Sequence, residues 1–279
     1  MRMARMVSAQ DITSMHCGGS VACIFEPEGP TELAGLLHEH PDLLVLGGGT
    51  NTIFGDDVFT RPVVRLGAEF AFVEEAPGGI RAGAATSMKR LVSYCIRTGL
   101  SGIEFMAGIP GTLGGALYMN AGTADNGIMD AVIEIELTDA SGSRTLARDR
   151  IDCSYRSGGI PEGSVITAAR LSLQGARYDE VRRNVLAFLA RRKAQPRGFS
   201  AGSVFRNPQG HAAGKLIDQA GFKGRRIGGA KVSEIHANFI INDGHASTAD
   251  VRELIRLVKQ GVKERFGIEL TEEVRIVGQ

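Results

Sequence analysis

The chain has 279 residues with 32 basic and 31 acidic side chains, a formal net charge of +1 that offers no global field for nucleic acid or a membrane surface. Its 43% apolar content is that of an ordinary globular protein, the length predicts two or three domains, and no window approaches the ~20 apolar residues of a spanning helix. Cys17, Cys23, Cys95 and Cys153 form no C-x-x-C pair and the start, M-R-M-A-R-M-V-S, has no continuous apolar stretch, so a zinc framework, a disulfide scaffold and a signal peptide are excluded as expectations and a cytoplasmic setting is expected.

In chain order, Val21–Phe25 reads as a short strand ended by Pro27. A helix follows from about Thr31, with Leu33, Leu36 and Leu37 on one face, and stops at Pro41. Leu43–Leu46 is wholly apolar and predicts a buried strand that runs directly into Gly47, Gly48, Gly49, Thr50 and Asn51. Glycines there, with a hydroxyl and a carboxamide beside them, suit a phosphate loop, although strand-ending glycines are common. Residues 63–83 read as short strands and turns, including Pro77-Gly78-Gly79. Thr86 or Ser87 then caps a helix with Met88, Leu91, Val92, Cys95 and Ile96 facing a core, closed by Gly99.

The stretch from Gly99 to Gly122 holds seven glycines in 24 residues, a density that weakens regular structure and lets backbone N–H groups approach a ligand. Gly108-Ile109-Pro110-Gly111-Thr112 reads as a tight turn, and Gly114-Gly115 lead into a short apolar run ending at Asn120-Ala121-Gly122. The spacing is neither a P-loop nor G-x-G-x-x-G, so the residues alone leave a structural turn and a diphosphate cradle both open.

Further on, Ile133, Ile135 and Leu137 alternate with Glu134, Glu136 and Thr138 as a half-buried strand closed by a turn at 139–142. A second strand lies at 165–173. The helix from Tyr178 to Lys193 turns Val181, Val185, Phe188 and Leu189 inward and leaves Arg182, Arg183, Arg191, Arg192 and Lys193 as a solvated face. Gln195-Pro196-Arg197-Gly198 reads as a linker, and Ser200–Pro208 is crowded with small, turn-forming residues. A helix through Ala212–Ala220, a largely continuous strand from Val232 to Asn242, a long helix capped by Thr248 and ended by Gly267, and a closing strand Glu272–Val277 complete the chain. The irregular alternation predicts an α+β class. No H-E-x-x-H, G-x-S-x-G, Walker lysine or clustered His/Cys set is present and the six histidines are scattered, so no metal site is expected.

Taken together these blocks resemble the UDP-N-acetylenolpyruvoylglucosamine reductase family, flavin enzymes of peptidoglycan precursor synthesis. The resemblance is carried by L-G-G-G-T-N at 46–51, G-I-E-F-M-A-G-I-P-G-T-L-G-G at 102–115, M-N-A-G at 119–122 and S-Y-R-S at 154–157. It continues through S-A-G-S-V-F-R-N-P at 200–208, A-G-K-L-I-D-Q-A-G at 213–221, I-G-G-A-K-V-S-E-I-H-A-N-F-I-I-N at 227–242 and E-E-V-R-I-V-G at 272–278. The near-absence of an insertion between the 165–173 strand and the next helix resembles the family's shorter type.

The resemblance implies an FAD-binding fold of the vanillyl-alcohol-oxidase type in two lobes, 1–66 and 67–196, plus an α+β substrate domain over 197–268, with strand 269–279 returning to the first lobe. It implies non-covalent FAD, NADPH as reductant, and a UDP-sugar enolpyruvyl ether as substrate, reduced by hydride at its methylene carbon and protonated at the adjacent carbon. Neither nucleic acid nor membrane is an expected partner, and a monomer is favoured. The glycine loops 47–51 and 108–115 would hold the diphosphate, with Asn120, Ala121 and Gly122 near the flavin.

Three residues match the family's catalytic positions: Arg156 for the substrate carboxylate, Ser203 as proton donor to the enolate, and Glu273 as a second hydrogen-bond donor. Tyr155, Arg206 and Asn207 match substrate-binding positions. Without the resemblance these read as a surface arginine, a turn-capping serine and a glutamate paired with Arg275. Three places depart from the family pattern: Met15-His16 precede Cys17-Gly18-Gly19 where an aromatic and an arginine are usual, Gly158 and Ile160 replace a serine and a phenylalanine, and Arg206 replaces a lysine. Another flavin oxidoreductase of the same fold with a different substrate, or a non-catalytic FAD- or nucleotide-binding relative, are the alternatives.

Overall fold

Helices and strands alternate irregularly in the computed structural model, which describes residues 1–123 and 126–278, and the class is α+β as expected. Contacts divide the chain into two units, each assembled from separated segments. The first comprises Met1–Ala4, Ile24–Gly48 and Arg61–Lys193, the second Arg5–Cys23, Gly49–Thr60 and Ala194–Gln279.

The first unit is built on a five-stranded antiparallel sheet in the order Gly142–Ala147, Val132–Asp139, Val165–Ser172, Gly79–Gly83, Val73–Ala76. Both expected turns close hairpins, with Gly142 opposite Asp139 and Ala76 opposite Gly79. Ile135 and Leu137 are fully buried with Ile80, Ala169 and Leu171, while their neighbours Glu134 and Glu136 pair with Arg170 (3.0 Å) and Arg81 (2.8 Å). Against the apolar face packs the helix Met88–Thr98 through Met88, Leu91, Val92 and Cys95. Ser87, not Thr86, is its N-cap, accepting from Arg90 N at 3.2 Å, and Gly99 ends it at φ +64°.

A smaller parallel sheet sets Val63–Val64 between Ile24–Phe25 and Leu44–Val45, covered by Leu33, Leu36 and Leu37 of the helix Pro30–Glu39. The run 43–46 is not buried throughout. Leu44 and Leu46 are buried and Val45 faces solvent, because one face of this edge strand is left uncovered.

The second unit buries Val251, Leu254, Ile255, Val258 and Val262 of the helix Thr248–Phe266 against Ala213, Leu216 and Ile217 of the helix Ala213–Gln219 and against Met15, Cys17 and Ile53. The cap of the long helix is Ser247, one residue before Thr248. Its Oγ accepts from Asp250 N and the Asp250 carboxylate accepts from Ser247 N, both at 3.0 Å, while the Thr248 hydroxyl donates to Phe54 O at 2.6 Å. The expected strand 232–242 is a hairpin: Ala230–Val232 and Ile240–Asn242 pair antiparallel, with Val232 opposite Ile240. The chain turns between them where the Ser233 hydroxyl accepts from Ile235 N at 3.1 Å and His236 N at 3.3 Å.

The closing strand is only Arg275–Val277, parallel to Thr52–Phe54. Glu272 and Glu273 leave that register because they bond the segment 204–205 instead. Among the described residues no helix is long and apolar enough to cross a membrane, and no His/Cys/Asp/Glu group is arranged to hold a metal ion.

Candidate active site

In the first unit the end of strand Leu44–Val45 meets the second glycine loop. A Cβ added to Gly47 would lie 3.0 Å from the Thr112 hydroxyl, and one added to Gly48 only 2.7 Å from the Gly111 Cα. Glycine is required at 48, where the neighbour is backbone, while a side chain at 47 would press on the capping Thr112 hydroxyl. The loop is held by Met88 N to Gly111 O (3.0 Å), Leu113 N to Thr86 O (2.8 Å) and Gly114 N to Ala84 O (2.8 Å). Ile109 packs on the core beside Pro110, its N–H donating to Met106 O at 3.0 Å. Thr112 caps the short helix Leu113–Tyr118 through Gly115 N. The N–H groups of Gly48 and Gly111 donate to no backbone carbonyl among the described residues. Two closely apposed glycine segments with amides left for a ligand fit a diphosphate, which the spacing alone left open.

Gly108, at φ +77°, is crossed by the last turn of the helix Tyr178–Arg192: its added Cβ would lie 2.8 Å from Arg192 Cδ and 3.2 Å from Leu189 Cδ2. Arg192 is therefore not part of a solvated face. Burial lowers its pKa from the ordinary arginine value and the nearby Arg156 charge lowers it further. Leu189, expected inward, is 37% exposed because it lies over this loop rather than in the core.

Arg156 sits in a tight turn. Ser154 and Ser157 exchange backbone hydrogen bonds at 2.9 and 3.0 Å, and Arg156 takes φ +58°, a left-handed conformation uncommon outside glycine. Its guanidinium carbon lies 5.0 Å from the centroid of the half-exposed Tyr155 ring. Asn120, itself at φ +42°, anchors the turn: its Nδ2 donates to Ser154 O at 3.0 Å and its Oδ1 accepts from Met129 N at 3.2 Å. The Asn120–Gly122 segment and the Arg156 turn are thus one hydrogen-bonded structure, which no sequence spacing announced. Gly158 belongs to it as well, since its Cβ would stand 2.0 Å from Leu117 O and its N–H donates to Tyr118 O at 2.9 Å. A serine at 158 has no room here.

In the second unit Gly49, at φ +65°, has its Cβ direction filled by Ile12 O at 2.0 Å and accepts from Ser14 N at 3.0 Å. Thr50 is half-buried, and Asn51 donates one carboxamide hydrogen to Glu273 O at 3.0 Å. Ser203 follows Gly202 (φ +78°) and bridges antiparallel to Phe239. Its neighbour Val204 accepts from Glu273 N at 2.7 Å, so the chain segments bearing Ser203 and Glu273 lie side by side. Glu273 is half-buried and precedes the closing strand rather than lying in it. The Arg206 Nε is buried with no hydrogen-bond partner among the described residues, which suits a site that receives an anion. Asn207 Oδ1 accepts from Ala213 N at 2.9 Å and so caps the helix Ala213–Gln219. His16, at φ +51°, stacks on Phe199 with ring centroids 4.0 Å apart.

Two family profiles match the chain: an FAD binding domain over residues 21–146, and the C-terminal domain of UDP-N-acetylenolpyruvoylglucosamine reductase over 195–277. A reductase of that name from Anaeromyxobacter sp. is 43% identical over 277 residues, covering 96% of this chain and 86% of the relative. The chain belongs to the UDP-N-acetylenolpyruvoylglucosamine reductase family. The reductase of Acidiphilium cryptum is 40% identical, with 96% and 88% covered. The crystal structure of the family member from Thermus caldophilus aligns with a TM-score of 0.89 at 35% identity, covering both chains fully. The FAD-binding profile contains both glycine loops and Asn120, the reductase profile contains Ser203, Arg206 and Glu273, and Arg156 lies between them.

Proposed function

We propose that this chain reduces UDP-N-acetylglucosamine enolpyruvate to UDP-N-acetylmuramate with NADPH, in peptidoglycan precursor synthesis, and that Arg156, Ser203 and Glu273 carry the substrate chemistry. The observation that supports this most directly is the pairing of closely apposed glycine loops with a guanidinium held in a left-handed turn, in a reductase family chain. Gly47, Gly48, Gly111 and Thr112 would hold FAD without a covalent link, and the bound flavin would supply hydride transfer from NADPH to the enolpyruvyl methylene carbon.

The chain's own residues manage charge and a proton. As the double bond is reduced, its electron pair moves to the adjacent carbon and the attached carboxylate. Arg156 offers two parallel N–H groups to that carboxylate, where the charge collects. Ser203 gives its hydroxyl proton to the adjacent carbon, and the oxygen left behind recovers a proton from solvent. Glu273, in its protonated form, donates to the same enolate. The half-buried Arg206 side chain and the exposed Tyr155 ring contact the sugar nucleotide, and Asn207 lends its carboxamide donors. The protein works as a cytoplasmic monomer and, through cell-wall synthesis, supports cell division.

The visible spectrum of the purified protein tests this reading. Flavin absorbance should fall on adding NADPH and return, without oxygen, on adding the enolpyruvyl UDP-sugar. Bleaching that the sugar nucleotide does not reverse would sink the substrate assignment.

A further inference from the structure

Asn238 lies within the A-N-F-I-I-N run of the block 227–242. Its side chain is buried, 4% exposed, and bonds one residue twice: Oδ1 accepts from Phe205 N at 2.9 Å and Nδ2 donates to Phe205 O at 2.8 Å. Its own carbonyl accepts from Val204 N at 2.8 Å. One N–H and the C=O of a carboxamide lie side by side in a plane, as the N–H and C=O of a strand residue do, so the Asn238 side chain substitutes for a strand neighbour where the hairpin has turned away. On the opposite edge of the same segment, Val204 O accepts from Glu273 N (2.7 Å), Phe205 bridges to Glu272, and Arg206 N donates to Thr271 O (2.9 Å).

The segment after Ser203 is therefore clamped on both edges, although it is too irregular to form a ladder. Just before it stands Gly202, left-handed, with nothing within 4 Å of where a Cβ would lie, so no side-chain packing holds the chain there. We propose that Asn238 is the positioning residue for Ser203: it fixes Val204–Phe205 against Glu273 and so holds the serine hydroxyl in place for proton transfer. This rests on the reading of Ser203 as proton donor. Aspartate retains the acceptor but not the donor, and alanine leaves the N–H and C=O of the buried Phe205 unpaired.

The test uses the FAD-loaded protein with Asn238→Ala and Asn238→Asp, each alone and combined with Ser203→Ala. Asn238→Ala should keep its flavin and its rate of reduction by NADPH, while reoxidation by the enolpyruvyl substrate slows by about 10- to 100-fold, the scale of a displaced catalytic group. Asn238→Asp should fall between, and amide exchange of the peptide containing Phe205 should quicken in both. Added to Ser203→Ala, the alanine change should cause no further slowing. Equal slowing in that background, or a parallel drop in both half-reactions, overturns the positioning role, as does an unchanged reoxidation rate. If Asn238→Ala does not fold, the aspartate variant carries the same readouts. Normal reoxidation by Ser203→Ala alone would overturn the proton-donor reading instead, and unchanged amide exchange would then overturn the clamp as well.

Discussion

Gly48 and Gly111 stand so close that a methyl group on the first would lie 2.7 Å from the Cα of the second. Neither side can give way by moving a side chain, because both contacts are backbone. Gly48→Ala should therefore separate the two loops and lower bound FAD, read as the ratio of flavin to protein absorbance in the purified protein. Gly35 is the control. It lies exposed in the helix Pro30–Glu39 with nothing within 4 Å of an added Cβ, so Gly35→Ala should retain flavin and gain about 0.5–1 kcal/mol of stability. Full flavin content in Gly48→Ala would show that the loops do not need this approach to hold it.

Arg156→Lys should lower turnover far more than flavin content. Lysine retains the charge and accepts the same φ +58°, but it replaces a planar two-point contact with a single ammonium. Turnover and flavin content measured on the same preparation decide the matter. A variant as active as the parent would remove Arg156 from the role of carboxylate anchor.

Ser203→Ala should separate the two halves of the reaction. Reduction by NADPH needs no proton delivered to a substrate carbon and should proceed at its normal rate. Reoxidation by the enolpyruvyl substrate should slow by at least about 10²-fold, the scale of a lost general acid. Ser203→Cys should recover part of that loss, since a thiol also carries a proton. Stopped-flow absorbance of each half-reaction is the measurement, and normal reoxidation in the alanine variant would leave Ser203 as a turn residue only.

Asp250 offers a test by pH. Its carboxylate accepts from Ser247 N at 3.0 Å and Gly229 N at 3.3 Å, and the bond to Ser247 is the main reason its pKa lies below the ordinary aspartate value of 3.8. A carboxylate whose pKa is lowered by folding stabilises the folded chain fully above the unfolded value. That contribution disappears as pH falls from 3.8 through the lower folded value. Asp250→Asn should cost about 0.3–1 kcal/mol near neutrality, as expected for a charge in the first turn of a helix, and progressively less in acid. Melting temperatures of both proteins across the acid range test this, and a gap that stays constant or widens in acid would contradict it.

Local patterns in the chain were enough to locate most elements. The 3–4 spacing of apolar residues found the helices at 88–98 and 248–266, and the alternation at 133–138 found a strand whose glutamates point to arginines. These signals are local because helix and strand periodicity depend on the residue's own backbone and near neighbours. The ordered motifs carried the family in the same way, since glycine demanded by a backbone contact leaves its mark at a fixed position. Where local signals compete, the tertiary partner decides: Ser247 rather than Thr248 is the cap because the Thr248 hydroxyl is taken by Phe54 O, and the segment 232–242 folds back because Ser233 bonds the backbone ahead of it.

Only the tertiary structure decided which segments meet. Gly48 meets Gly111, Asn120 grips the carbonyl of Ser154, Arg192 crosses Gly108, and Asn238 clamps Phe205 opposite Glu273. Each of these joins positions dozens of residues apart, and a carboxamide or guanidinium has the same appearance in the sequence whether it faces water or a buried peptide. What distinguishes the two is the partner that burial leaves within hydrogen-bonding distance, and that partner exists only once the chain has closed around it.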